Sequence, residues 1–305
     1  VGGSYPPSMG GYYYTTDNVN KIDYRGFDFT ISHNNKIGDF RYGIKWIGTL
    51  ASRRWLYYAG DSENTPDYLK LTGKEVGSQL GFIADGLFQS EEEIANSPTI
   101  PGSPVLPGYV RYIDRNGDGK ITYAQDMGYV GKSPYAKFQS SLNLNADWKG
   151  FDFDLLLQGG FGRTVALTGV YSNGVMDNTV FTKMFYHGGN SPRFLPENSW
   201  TPENTNAEFP RLSLVTVSTN NAYSSTFWYR NGNFLRVKSF QFGYTIPNQL
   251  TRKAGINKMR LFIEGSNLFT FSELTKYNID PEQPGVNNGY YPQQKTFSFG
   301  LNFSL

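Results

Sequence analysis

At its carboxyl end the chain alternates without interruption. Phe297, Phe299, Leu301, Phe303 and Leu305 fall at odd positions, and Ser298, Gly300, Asn302 and Ser304 fall between them. Successive side chains of an extended strand point to opposite faces, so this segment is a ribbon with one apolar and one polar face. A soluble sandwich can use one such strand. Here the pattern recurs along the chain at about the ~9–11 tilted residues needed to cross a bilayer. That recurrence predicts an antiparallel transmembrane β-barrel wall.

Composition agrees with a wall that is apolar outside and polar within. Aromatics are 16% of residues, with 22 Tyr and 23 Phe, yet the mean hydropathy is −0.47. No uninterrupted apolar run approaches the ~18 residues of a membrane helix. The absence of Cys removes disulfide frameworks and thiolate metal sites. A net charge of +2, with 28 dispersed Lys and Arg, gives no basic patch for nucleic acid. The chain begins Val-Gly-Gly-Ser with no signal peptide, which reads as a start removed by processing or fragmentation.

Seven strands are expected. A hairpin pairs Phe27, Phe29 and Ile31 with Phe40 to Leu50 across a turn at 34–38. A second runs from Phe138 to Phe161 and turns at Lys149-Gly150, a two-residue hairpin signal. Phe240 to Ile246, Met259 to Phe271 and Phe297 to Leu305 complete the set, with a compact polar turn at 247–258. Short turns at 34–38, 149–150 and 247–258 alternate with long excursions at 52–135, 164–232 and 272–294. This is the asymmetry of outer-membrane barrels, whose periplasmic turns are short and extracellular loops long. Seven strands do not close such a barrel, so the chain (1–305) is read as the carboxyl-terminal portion of a larger one.

Candidate chemistry is sparse. In the first excursion Asp114-Arg-Asn-Gly-Asp-Gly-Lys-Ile-Thr122 follows the start of a calcium loop, with oxygen ligands at positions 1, 3 and 5 and glycine at 6. Asp114, Asn116 and Asp118 would coordinate through side chains and Lys120 through its carbonyl, with Thr122 at position 9. The twelfth position is Gln125 and Asp126 comes one residue late. The motif is therefore either a structural Ca²⁺ site or an Asn-Gly-Asp-Gly turn that needs no metal. Asp152 and Asp154 share a strand face at ~6.5–7 Å, within the separation used by inverting glycosidases, but every barrel has lumen carboxylates. His33 and His187 are the only histidines and have no triad-like neighbours. The glycines from 159 to 162 suit a bend or close packing. Trp200, Trp228, Tyr229, Tyr290 and Tyr291 are candidates to stack on a ligand, or to form an interface belt or pack the loops.

Several words along the chain then resemble one family. Gly86-Leu-Phe-Gln-Ser, Asp114-Arg-Asn-Gly-Asp-Gly-Lys-Ile, Trp200-Thr-Pro-Glu-Asn, Phe234-Leu-Arg-Val-Lys, Gly243-Tyr-Thr-Ile-Pro, Asn267-Leu-Phe-Thr and Asp280-Pro-Glu stand in the order seen in the carboxyl-terminal third of SusC/RagA-type TonB-dependent outer-membrane transporters. The resemblance covers most of 76 to 305. It implies a roughly 22-stranded barrel, a plug absent from this chain, contact with TonB through the amino-terminal part, and a SusD-like lipoprotein lid. It also implies that the last strand is an assembly signal carried by Phe299, Leu301, Phe303 and Leu305, although the family usually ends in an aromatic. The stretch Ser272 to Tyr277 departs from the family's spacing ahead of Asp-Pro-Glu.

The expected function is energised import of a nutrient oligomer, glycan in preference to peptide, with no enzymatic step. Expected partners are the rest of the barrel, the plug, the lipoprotein, an oligosaccharide or oligopeptide, and outer-membrane lipid. A secreted or surface-anchored, calcium-stabilised carbohydrate-binding β protein is the alternative, and an enzyme using lumen carboxylates the third reading. Detergent dependence separates the first from both, since soluble monomers tolerate exposed apolar patches of only a few hundred Å².

Overall fold

Strands of alternating character need neighbours that place apolar side chains on the same side, and the chain supplies them in simple succession. The computed structural model describes residues 2–4, 14–16, 18–167, 192–212, 219–284 and 293–304. Its main strands are β1 (Lys21–Ile37), β2 (Phe40–Tyr57), β3 (Phe138–Trp148), β4 (Phe151–Phe161), β5 (Phe234–Thr245), β6 (Lys258–Ser266) and β7 (Thr296–Ser304). They form one sheet in the order β7-β6-β5-β4-β3-β2-β1, so every neighbour in space is a neighbour among these strands in sequence. From β2 to β7 each adjacent pair is antiparallel. Among the described residues no helix is long and apolar enough to cross a membrane, which says nothing about crossing by strands.

Register turns the alternating sequences of β2 to β7 into two continuous faces. Phe299, Ile263, Phe242, Phe153, Ala146 and Tyr42 align in one row across the sheet, and Leu301, Leu261, Tyr244, Phe151 and Trp148 in the next. Ser298, Glu264, Gln241, Asp154, Asn145 and Gly43 align on the opposite face. Phe299 is 86% exposed, and Phe297, Phe303, Ile263, Trp46 and Ile31 are also open to the outside. A one-residue slip would carry each apolar set to the other face, which is why alternation fixes register.

Phe262 breaks the pattern by standing on the polar face, and glycine accommodates it. Gly300 lies directly opposite on β7, and a Cβ there would sit 2.0 Å from the Phe262 ring. The Arg260 guanidinium covers the same ring at 4.8 Å from its centroid.

Several boundaries differ from the sequence expectation. The first turn is not 34–38: β1 runs through Ile37, and the chain reverses at Gly38-Asp39, with Gly38 at φ +60°. The polar residues there do not force a loop, because Asn34 faces the polar side of the sheet beside Gly43. The reversal at Lys149-Gly150 is as expected, with both residues at positive φ, as a tight hairpin turn requires. β1, β2 and β5 are longer than expected. The strand expected over 259–271 stops at Ser266, where Asn267 takes φ +52°, and Thr270–Phe271 resumes pairing with Arg236 and Leu235. The polar turn 247–258 contains a helical turn at Asn248–Thr251 and a 3-10 turn at Arg252–Ala254, ended by Gly255 at φ +73°.

The chain divides into two compact units. One comprises residues 26–50, 135–180 and 230–305 and holds most of the sheet; the other comprises 1–25, 51–134 and 181–229. The second has its own core, in which Phe82, Leu87, Ile100, Val110, Tyr112, Ile121 and Trp200 are buried together. Two small antiparallel ribbons build it: Gln79–Phe82 with Met127–Gly131, and Ala84–Leu87 with Val110–Tyr112.

Candidate functional site

Unlike a set of independent loops, the first two excursions fold onto one another. Phe82 N–H donates to Ser224 O at 2.8 Å, and Thr226 N–H returns to Phe82 O at 3.0 Å. Asn221 accepts from Val110 N–H through Oδ1 at 2.9 Å, while Asn220 donates through Nδ2 to Val110 O at 2.8 Å. Gly81 allows this approach, since a Cβ there would lie 2.3 Å from Ser224 O. Burial raises the pKa of the Tyr112 hydroxyl, which donates to Asn220 O at 2.5 Å. Such a unit can present a fixed surface.

Two of the resembling words meet in it. Ser90 caps the helix Glu91–Ala95 by accepting from Glu93 N–H at 3.1 Å, and Glu93 accepts in return from Gln89 N–H at 2.6 Å, close to a capping box. Gln89 Oε1 in turn accepts from the Trp200 indole N–H at 3.0 Å. Trp200 is 4% exposed and packs so closely on Gly108 that a Cβ there would meet its ring at 2.4 Å. Trp228 is fully buried and donates to Asn221 O at 2.7 Å. Neither indole offers an open face to a ligand ring, so packing accounts for both. Tyr229 is partly buried, its hydroxyl within 3.2 Å of Gln79 Oε1 and of Ser224 Oγ. Tyr290, Tyr291 and Leu305 lie outside the described residues, as does His187.

The calcium-loop-like segment is closed by its own backbone. Asp114 accepts from Gly117 N–H and Gly119 N–H, both at 2.7 Å. Asp118 accepts from Lys120 N–H at 3.0 Å and from Asn116 Nδ2, also at 3.0 Å. Asp126 supplies the closure: buried, it accepts from Arg115 N–H at 2.8 Å and Thr122 N–H at 2.7 Å. Gln125 instead accepts from the Thr122 hydroxyl at 3.2 Å. Among the described residues no group of three or more His, Cys, Asp or Glu gathers as a metal cluster. The donors are hard oxygens of the type calcium takes, each with a further lone pair.

On the polar face of the sheet Asp152 takes a two-pronged contact from Arg260, whose Nε lies 2.9 Å from Oδ1 and whose Nη2 bonds Oδ2. Arg260 also reaches Gln241 Oε1 at 2.9 Å, and Gln241 donates to Glu264 at 3.2 Å. Asp154 accepts from Asn143 at 3.2 Å. These carboxylates belong to a cross-strand network rather than to an acid and base pair flanking a cleft. His33 stands on the apolar face 3.3 Å from the Tyr42 hydroxyl.

The sequence reading did not identify the ionic knot at Arg236. Its side chain is 3% exposed; Nη2 bonds Asp280 at 2.8 Å, Nη1 contacts Glu282 and Gln293, and Nε bonds Thr270 at 2.9 Å. Lys238 adds a contact to Glu282 at 3.2 Å. Thus Phe234-Leu-Arg-Val-Lys and Asp280-Pro-Glu are two halves of one device that pins the third excursion to β5. Both words were visible in the sequence, but their partnership was not.

No protein-family model matches the chain. It is 25% identical to TonB-dependent receptor P3 of Formosa agariphila over 98% of this chain and 30% of the relative. It is 23% identical to TonB-dependent receptor SusC of Bacteroides thetaiotaomicron over 95% of this chain and 27% of that protein. Among solved structures, the RagAB peptide importer in its open-open state aligns with a TM-score of 0.63 at 19% identity, over 98% of this chain and 30% of that one. The fold is therefore shared with these proteins, and the likeness extends well beyond the 76 to 305 stretch that carries the motifs. The chain spans about 30% of the length of these relatives.

Proposed function

We propose that this chain, a relative of the TonB-dependent receptors of the SusC/RagA type, is wall and loop of a transporter that imports a nutrient oligomer across a bacterial outer membrane. The observation that carries the reading is the seven-stranded sheet itself, with an apolar face and a polar face that run in register across β2 to β7. In lipid every backbone polar group needs a partner, and a sheet meets that need when it continues into a closed barrel. The apolar face meets hydrocarbon, the polar face lines the lumen, and the short turns lie on the periplasmic side.

The cargo is proposed as a glycan. A peptide is the second reading, favoured by the fold shared with an importer described as a peptide transporter. The long connections carry part of the cargo site and dock a SusD-like lipoprotein, TonB acts through the amino-terminal part of the transporter, and no catalytic step is involved. A structural Ca²⁺ held by Asp114, Asn116 and Asp118 stiffens the first connection. The deciding experiment is growth of a deletion strain on single glycans and on peptides, with and without the complete gene. Restored growth on a glycan supports the reading, restoration on peptides alone replaces glycan by peptide, and a protein that stays monodisperse without detergent overturns the membrane assignment.

A further inference from the structure

The apolar face is not uniformly convex. It contains a cavity of about 610 Å³, open along one side, within the sheet-bearing unit. Its floor is where Ser140 and Gly159 face each other in register, so no large side chain rises from either strand. Phe138 and Phe161, the next pair along the same two strands, bound it on one side; Trp46, Leu142 and Leu157 bound it on the other. Leu235, the β5 partner of Gly159, closes one end.

The polar groups of this lining are already engaged. Ser140 Oγ accepts from the Trp46 indole N–H at 2.7 Å and donates to Ile47 O at 3.2 Å. His33, the one titratable lining residue, is near the Tyr42 hydroxyl. Apart from Ser140 and His33 the cavity lining is hydrocarbon and ring surface, with no carboxylate, amine or guanidinium to pair with a charged group, which favours an apolar occupant over a peptide terminus or a lipid headgroup. Its depth points to the source of the occupant. Leu142 and Phe138 stand about 20 and 33 Å along β3 from the short turn at ~3.3 Å per residue, in the half of the wall nearer the long connections.

We propose that this cavity is a binding site for one acyl chain of a membrane lipid from the leaflet on the long-connection side. The inference rests on the membrane reading above. Trp46 lines the site and reports on it. The test uses the complete transporter, wild type and Trp46→Phe, in phosphatidylcholine vesicles containing a rising fraction of phospholipid with mid-chain brominated acyl groups. The difference between the two proteins isolates the quenching of Trp46.

A bound chain makes that quenching saturate at low brominated fraction, and Leu235→Trp, which adds bulk at the end that Leu235 closes, abolishes the saturable part, read from Trp46 as the difference between Leu235→Trp and Leu235→Trp/Trp46→Phe. Quenching of the wild type that rises only in proportion to bulk brominated lipid overturns the site while leaving the lipid-facing wall intact. No quenching even in fully brominated vesicles overturns both. Because the saturation curve is measured on the wild type, failure of Leu235→Trp to assemble does not blunt the test.

Discussion

Arg236 combines near-complete burial with two carboxylate partners, so its removal leaves the mostly buried Asp280 and Glu282 with like charges and only Lys238, on Glu282, to offset them. Breaking a buried pair from one side costs about 3–5 kcal/mol, and Arg236→Ala is expected to free the third excursion while β5 stays paired along most of its length. Limited proteolysis of the folded transporter reads this directly: new cleavage should appear within 272–294, and an unchanged digestion pattern would reject the knot as the anchor. Phe299 is the opposite case, an exposed side chain on the apolar face that the membrane reading places against lipid. Phe299→Arg places a charge on the lipid face at a cost of about 2–4 kcal/mol near mid-membrane. Ser298→Arg points the same group to the polar face beside Glu264, its register partner. Assembled barrel on a heat-modifiability gel should fall for the first change and hold for the second, and equal tolerance of both would invert the assignment of faces.

Elements whose identity rests on period two were legible, and elements whose identity rests on a distant partner were not. β3, β4 and β7 stand where alternation placed them, and Lys149-Gly150 reverses the chain because two positive φ values there suit a tight turn. Asn34-Asn35-Lys36 resembles a turn by composition but extends β1, with Asn34 on the polar face beside Gly43 and Asn35 Oδ1 accepting from Lys36 N–H at 2.8 Å. The segment 114–126 was legible as a tight polar loop with Asp126 one residue late for the closing position, but not that Asp126 closes it on the amides of Arg115 and Thr122. Desolvation works to raise the Asp114 carboxyl, but the amides of Gly119, Gly117, Asp118 and Asn116 outweigh it and hold its pKa below the ordinary 3.8. A depressed carboxylate contributes stability that is present above the unfolded value and lost as pH falls through the folded one. The protection of the Gly117 and Gly119 amides, measured against their intrinsic exchange rates, should therefore hold above the ordinary carboxyl value and be lost below it, while Asp114→Asn should show no such step. If calcium also binds, an experimental map will show oxygen ligands around a peak at about 2.3–2.6 Å, whereas contacts near 2.8 Å with two or three partners leave the turn alone.

For the molecule as a whole, the division into a sheet-bearing unit and a unit of long connections sets what mutations can separate. Ligand stacking, an interface belt and loop packing stayed open for Trp200 and Trp228 because no periodic signal announces that 52–135 and 164–232 share a core; the hydrogen bonds joining Phe82 to Ser224 and Val110 to Asn221 cross more than a hundred residues of sequence. Trp200 sits in that core among Phe82, Val110, Tyr112 and Ile121. Truncating a buried Trp to Ala costs about 3–5 kcal/mol, so Trp200→Ala should loosen the loop unit as a body and leave the wall assembled. If that unit carries the lipoprotein interface, the same variant should lose co-purification of the lid and slow growth on the imported oligomer, while its heat-modifiability remains that of wild type. Lysine substitution at the exposed Leu106 tests the surface without removing a ring from the core, and it should weaken docking only if it lies in the interface. Removing the tips of the three long connections in turn completes the experiment, because a lid that still docks and cells that still grow after all three deletions would move the functional surface outside this chain and leave it as wall.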